Sequence, residues 1–474
     1  MSRFGLNFSP LSSICYDEIQ CTEWQLDNVG FADARTMTNE GINGDRRPFQ
    51  IVIATDRQLP LGDIVDSIIL STEGTGLLQG RFNETPLVSF HLMLRGENSI
   101  KILEQNDKHI ERLQNAGVNF TYEECYSSAG VSQLTSAREC ALQFIRNLSK
   151  ETSPIILWLD DDLAFDSLIS VNGKIKHCRP WSFFHEIWRY HEIFPNVSIG
   201  LGDVTGAPPL PASSTLHTNM VDLVANLRYS PTRNVISRWQ ERDYYYDLSE
   251  NRLDYSPWPF SVYDINSREI LWNLLEVGTL ARPLVSSNYS AKIQQGRYVR
   301  GGNTIIFDYK FVDDIDHPKI PRRGDSIWAL KVRNRGGILG HFPIPLRHIR
   351  DIKPKDWTPE NSLSNWLRRL EVDLVGASFQ RWYAGIDSEI TPEAILVKRC
   401  KLQLECFESA AELLEFIPED IRLVLQIFIE NGIERVNDLI SNPSVFADYN
   451  RCVEPKMAAQ IASSSSKKGV IENE

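Results

Sequence analysis

Six apolar residues that run straight into three carboxylates leave a chain few options. Pro154-Ile155-Ile156-Leu157-Trp158-Leu159-Asp160-Asp161-Asp162 is such a run. It is short, β-branched at Ile155 and Ile156, and bounded by Pro154, which predicts a buried central strand. The acids then fall at its carboxyl end, where open α/β sheets bind ligands. Adjacent like charges repel, and a cation or a donor-rich partner relieves that repulsion. In extended backbone Asp160 and Asp162 point to the same side and can share one hard divalent cation or its diphosphate ligand. An acidic loop at a strand end, or a helix N-cap, fits the same residues.

The flanking sequence supplies more strands and helices. Phe49-Gln50-Ile51-Val52-Ile53-Ala54-Thr55 predicts a buried strand ending in Thr55-Asp56-Arg57, and Leu61 to Leu70 has helical spacing. Strands follow at 87–94 and 118–122, alternating with helices at 100–116 and 135–148 before the acidic strand. Such alternation predicts α/β architecture with a mostly parallel sheet flanked by helices. Beyond it come an aromatic helix from Trp181 to Ile193, a strand at 197–201 and another following Gly301-Gly302-Asn303. A helix at Asp325 stops at Gly336. His185 and His191, six apart, do not share a helix face, so packing is their expected role. Tyr- and Trp-rich 243–260 suits either stacking on a sugar or base, or a packed Ω-type loop.

The character changes after about residue 355. Helices are expected at 361–383, 409–416 and 421–440, forming a C-terminal helical module over 356–458. They offer a surface for a protein partner or self-association. Residues 459–474 are too polar to pack and read as a disordered tail, and 1–47 as an irregular N-terminal extension. The domain proper is then 48–355.

Net charge is −12 and the pI about 5.4, which argues against a nucleic-acid partner. The eight cysteines have no CxxC spacing, so neither a zinc site nor a disulfide framework is indicated, and reduced thiols in a cytoplasmic protein are expected. No signal peptide is read at Met1–Pro10 and no run reaches the roughly 18 apolar residues a span requires.

Several of these segments, in order, resemble the catalytic domain of GT-A-fold glycosyltransferases of the inverting family 2 type, over residues 48–350. They are Ile51-Val52-Ile53-Ala54-Thr55, Leu134-Thr135-Ser136-Ala137-Arg138-Glu139, Leu159-Asp160-Asp161-Asp162, Gly301-Gly302-Asn303, Asp325 with its helix, and His348. The resemblance implies a nucleotide-sugar donor and an acceptor that is a glycan, lipid or protein. Thr55, Asp56, Arg138, Asp160, Asp161 and Gly302 would bind the donor. Asp160, Asp162 and His348 would hold Mn²⁺ or Mg²⁺, the imidazole suiting Mn²⁺ better. Asp325 would be the catalytic base, although Gly324 stands where the family carries Glu, and an N-cap role fits Asp325 equally in type. The Gln-x-x-Arg-Trp signature of processive synthases is missing; Gln380-Arg381-Trp382 is a contracted look-alike.

Three rivals remain. A sugar-nucleotidylyltransferase would carry a glycine-rich basic loop after the first strand, and Asp56-Arg57-Gln58-Leu59-Pro60-Leu61-Gly62 does not match. A dehalogenase-type phosphatase wants Thr or Val where Ala164 stands. A non-catalytic nucleotide- or glycan-binding relative keeps the same acids without turnover.

Overall fold

A computed structural model describes residues 18–19, 47–55, 61–73, 75–95, 99–125, 133–148, 150–171, 174–178, 183–206, 211–225, 266–277, 303–318, 320, 322–349, 356–384 and 391–442. Asp56, Gly302, the aromatic stretch 243–260, the tail after 459 and most of 1–47 lie outside these residues.

The main sheet is built from β1 (Phe49–Thr55), β2 (Val88–Arg95), β3 (Asn119–Cys125), β4 (Ile155–Leu159) and the two-residue β5 (Leu163–Ala164). A hairpin of β6 (Ser167–Val171) and β7 (Lys174–Cys178) forms a separate small sheet with Glu18–Ile19. The main sheet is completed by β8 (Ile199–Gly206), β9 (Asn303–Ile306) and β10 (Leu339–His348). Its order is β3-β2-β1-β4-β9-β8-β10-β5. β1 runs parallel to β2 and β4, β2 to β3, and β8 to β10. Only β9 and the short β5 run against their neighbours. The α/β class with a mostly parallel sheet is therefore the architecture observed.

Alternate residues of the central strands feed opposite cores, which explains why their sequences are apolar almost throughout. Phe49, Ile51, Ile53, Ile155, Leu157 and Leu159 enter one core with α1 (Gly62–Ser71), α2 (Ser99–Asn115) and α4 (Phe183–Ile193). Val52, Ile156 and Trp158 enter the other, with α3 (Gln133–Asn147), α7 (Lys310–Asp314) and α8 (Gly324–Asn334). On α4, His185 meets the edge of Trp188 and His191 stacks on Phe307, so both histidines pack as aromatics.

A third core is helical. It joins α5 (Leu216–Ala225), α6 (Ser267–Trp272), α9 (Pro359–Tyr383), α10 (Pro392–Leu413) and α11 (Glu419–Ser441), and includes Ile320 just before α8 and Ile327 on it. The helix expected at 409–416 is the last turn of the longer α10 plus a short 3₁₀ turn, Leu414–Phe416. Its true start is capped by Thr391, whose hydroxyl accepts from the Ala394 N–H ahead of Pro392, the standard opening chemistry. Among the described residues no helix is long and apolar enough to cross a membrane.

Candidate functional site

From β1 the chain moves outward through β2 to β3, then returns to lay β4 on the other side of β1. Strand order thus reverses between β1 and β4, and in open sheets such a switch point opens a crevice beyond the strand carboxyl ends. Thr55 closes β1 and Asp160-Asp161-Asp162 follow β4 directly. At this point the Thr55 hydroxyl donates to Asp161 Oδ2 at 2.6 Å.

The three acids do not continue as a strand. The chain turns at Asp161 and Asp162, so the same-side geometry expected of extended backbone gives way to separate partners. β5 pairs antiparallel with the end of β10, setting Leu163 opposite His348. Asp162 is thereby placed beside that histidine: its carbonyl accepts from Ile349 N–H at 2.6 Å, and its Oδ2 lies 3.0 Å from His348 Nε2. Just behind, buried Arg347 pairs with buried Asp166, Nε to Oδ1 at 2.5 Å.

Asp160 turns instead to Arg138 of α3. Arg138 Nη2 donates to Asp160 Oδ1 at 2.9 Å, and Nη1 reaches Asp325 Oδ2 at 2.5 Å. Helix α3 is fixed by Arg146, which donates to the carbonyls of Val312 and Ile315 at 2.9 and 3.1 Å. Burial favours the neutral form of Arg138, but Asp325, Asp160 and Asp162 outweigh it and hold the guanidinium firmly charged. Loss of hydration raises the Asp160 carboxyl, helped by Asp325 and Asp162 and opposed by Arg138. Its side chain is still 37% exposed, so water moderates that rise.

Asp325 is the second residue of α8, not its cap. Arg323, in the left-handed region at φ 67°, occupies the cap position without a side-chain capping bond. The Asp325 oxygens are committed elsewhere, Oδ2 to Arg138 and Oδ1 to His317 Nε2 at 3.2 Å. Burial alone would raise this carboxyl; Arg138, His317 and Arg322 together bring it below the usual range. Glycine at 324 has a steric cause, since a Cβ there would sit 2.3 Å from His317 Cε1. A glycine at this position makes room for an imidazole.

The ion-pair chain continues into the helical core. Arg322 Nε and Arg323 Nη2 lie 2.9 and 3.2 Å from Asp373 Oδ1, a buried acid of α9 that also accepts from Ser214 at 3.1 Å. Gly376, one turn further, allows α9 this approach: a Cβ would come within 2.8 Å of the Arg322 carbonyl oxygen.

Thr55, Arg138, Asp160, Asp161, Asp162, Asp325 and His348 therefore gather at one end of the sheet, while Asp56 and Gly302 lie outside the described residues. His317, Arg322, Arg323 and Asp373 were not legible as site residues. Arg322-Arg323 next to Asp325 was a visible charge cluster, whereas nothing in the sequence marks His317. Among the described residues no group of three His, Cys, Asp or Glu side chains is arranged to hold a metal ion. Asp162 and His348 do meet, Oδ2 and Nε2 lying 3.0 Å apart, and a carboxylate and an imidazole are both ligand types that Mn²⁺ accepts. No protein-family model matches the chain, and no curated protein is significantly similar to it.

Proposed function

We propose that the protein is a glycosyltransferase of GT-A type that moves a sugar from a nucleotide-sugar donor to an acceptor hydroxyl, with inversion. The observation that carries this reading is the joining of Asp160 and Asp325 by one arginine at the sheet's switch point. Donor-side carboxylates and a candidate base lie within the reach of a single guanidinium.

In this scheme the donor lies over the ends of β1 and β4. Thr55 and Asp161 face its nucleoside, Asp160 its ribose, and Arg138 its diphosphate. Asp162 and His348 would hold Mg²⁺ or Mn²⁺, which commonly binds to few protein groups and completes its shell with phosphate oxygens and water. Such an ion would offset charge on the leaving nucleoside diphosphate. As the acceptor oxygen bonds to the anomeric carbon, the bond from that carbon to the phosphate oxygen breaks and its electron pair leaves with the diphosphate. The acceptor proton passes to Asp325. Arg138 must release Asp325 Oδ2 for that, and a diphosphate is a stronger competitor for a guanidinium than a single carboxylate.

The tight grip of Arg138 on Asp325 also favours a second reading, a nucleotide-binding relative without turnover. A panel of nucleotide sugars with and without Mn²⁺, followed by melting temperature and by release of nucleoside diphosphate, separates the two. A transferase is stabilised by its donor and turns it over. A silent relative is stabilised only. No response to any nucleotide sugar contradicts both.

A further inference from the structure

We propose that His317 is a positioning residue that pins Oδ1 of Asp325 and thereby assigns the transfer proton to Oδ2. This rests on the reading of Asp325 as the base.

His317 lies in the link between α7 and α8 and is 2% exposed. Its Nε2 faces Asp325 Oδ1 at 3.2 Å. An ionised carboxylate only accepts, so the neutral ring carries its proton on Nε2 and offers Nδ1 as an acceptor. Nδ1 is buried and meets no hydrogen-bond partner among the described residues. A histidine serving packing alone would be better replaced by an apolar ring, because a buried acceptor without a donor is costly. The bond to Asp325 is what the imidazole adds over such a ring.

Its orientation is fixed from two sides. Trp158, on the strand that delivers the acids, meets the ring edge-on at 5.9 Å. Gly324 gives up its side-chain volume to the same ring. The carboxylate is then held like a lever with one end fastened. Oδ1 is tied to a buried neutral donor, and Oδ2 is tied to Arg138, the group that the diphosphate draws away. Donor arrival would free the one oxygen that the acceptor proton needs, while the other keeps the plane of the carboxylate set.

Among the described residues, charged groups reach this pair from several elements. Asp325 meets Arg138 from α3 and Arg322 before α8, and its charge is felt by Asp160 after β4. His317 faces Asp325, Arg138 and Lys331. Burial is the largest influence on the imidazole and, with the two cations, keeps it neutral against the pull of Asp325. It donates a bond without adding a charge.

The test compares full-length wild type with His317→Phe, which keeps a ring and loses the donor, and His317→Gln, whose amide N–H can take the place of Nε2–H. Steady-state transfer is measured across pH with the donor found in the panel above, and nucleoside-diphosphate affinity by calorimetry. His317→Phe is expected to lower kcat by about 10²-fold through misorientation with donor KM and diphosphate affinity kept. Loss of the donated bond raises the Asp325 carboxyl, so the acid limb of kcat moves to higher pH. His317→Gln is expected to recover most of both. If His317→Phe is too unstable to assay, Gly324→Ala presses on the same ring and is expected to lower kcat alone. An unshifted acid limb with normal kcat in His317→Phe overturns the positioning role while leaving the transferase reading intact. So does a loss of diphosphate affinity in step with kcat. A wild type that turns over no donor overturns the transferase reading, and this inference with it.

Discussion

At the scale of single residues, the site is a row in which acids are held by basic side chains and one arginine serves two of them. Asp373 holds Arg322 and Arg323, Asp325 and Asp160 share Arg138, and Asp162 meets His348. Removing one member of a buried pair leaves the other without compensation. Asp373→Asn is therefore expected to cost about 3 kcal/mol, the lower end of the usual range, because Arg322 remains 30% exposed. Chemical denaturation measures it, and a cost below a few tenths of a kcal/mol would show the arginines to be satisfied by water. The individual acids were legible because three carboxylates after an apolar strand are a local pattern. The pairing of Arg138 with both Asp160 and Asp325 was not. Arg138 and Asp325 are separated by nearly two hundred residues of chain, and His317 acts through a contact that only the folded backbone creates.

At the scale of elements, β1 to β4 and helices α1 to α4 followed from apolar runs alternating with amphipathic stretches, and their bounds fall within a few residues of expectation. The parallel β10, its run interrupted by Gly340, Pro343 and Pro345, was not legible as a strand. Nor was the reversal of β9, because strand direction is set by the connections on either side and those carry no periodic signal. The short β5 escaped for another reason: two residues are too few to show alternation, yet they deliver Asp162 to His348. Across β1, β2 and β3 runs a polar crosslink, with His91 between Gln50 at 2.5 Å and Thr121 at 2.6 Å. Burial lowers this imidazole to about 4 from an ordinary 6.5. The unfolded chain takes up the proton first, so between pH 6.5 and 4 the unfolded state binds more protons and stability falls as the medium is acidified. His91→Leu is expected to flatten melting temperature against pH over that window. An unchanged slope would assign the dependence to other groups. Gly376 provides a sign test for the packing of α9. Glycine to alanine inside a helix normally stabilises by about 1 kcal/mol. Here the added Cβ meets the Arg322 carbonyl oxygen, so Gly376→Ala is expected to lower the melting temperature instead. A gain would mean that α9 stands further off than the structure has it.

At the scale of the whole molecule, the C-terminal helices and the sheet meet at the segment that carries Asp325. Helix α9 reaches Arg322 and Arg323 through Asp373, while Ile320 and Ile327 enter the helical core with Trp366, Leu370 and Phe407. A break in composition after residue 355 was visible in the sequence. That these helices help build the edge of the site was not, because the shared contacts join distant parts of the chain. Truncation after residue 355 is expected to yield a protein that fails to fold cooperatively, judged by loss of a sigmoidal melting curve. A truncated form that melts sharply and still binds a nucleoside diphosphate would show the helices to be dispensable. The claim on which the functional account turns is that Asp325 takes the acceptor proton. Asparagine keeps the shape of the side chain and removes its basicity, so the most direct measurement is single-turnover transfer by Asp325→Asn, with donor affinity read in parallel by calorimetry. The account predicts near-normal donor binding with transfer slowed by about 10²- to 10⁴-fold; transfer at the wild-type rate, or a product that keeps the donor's anomeric configuration, would contradict it.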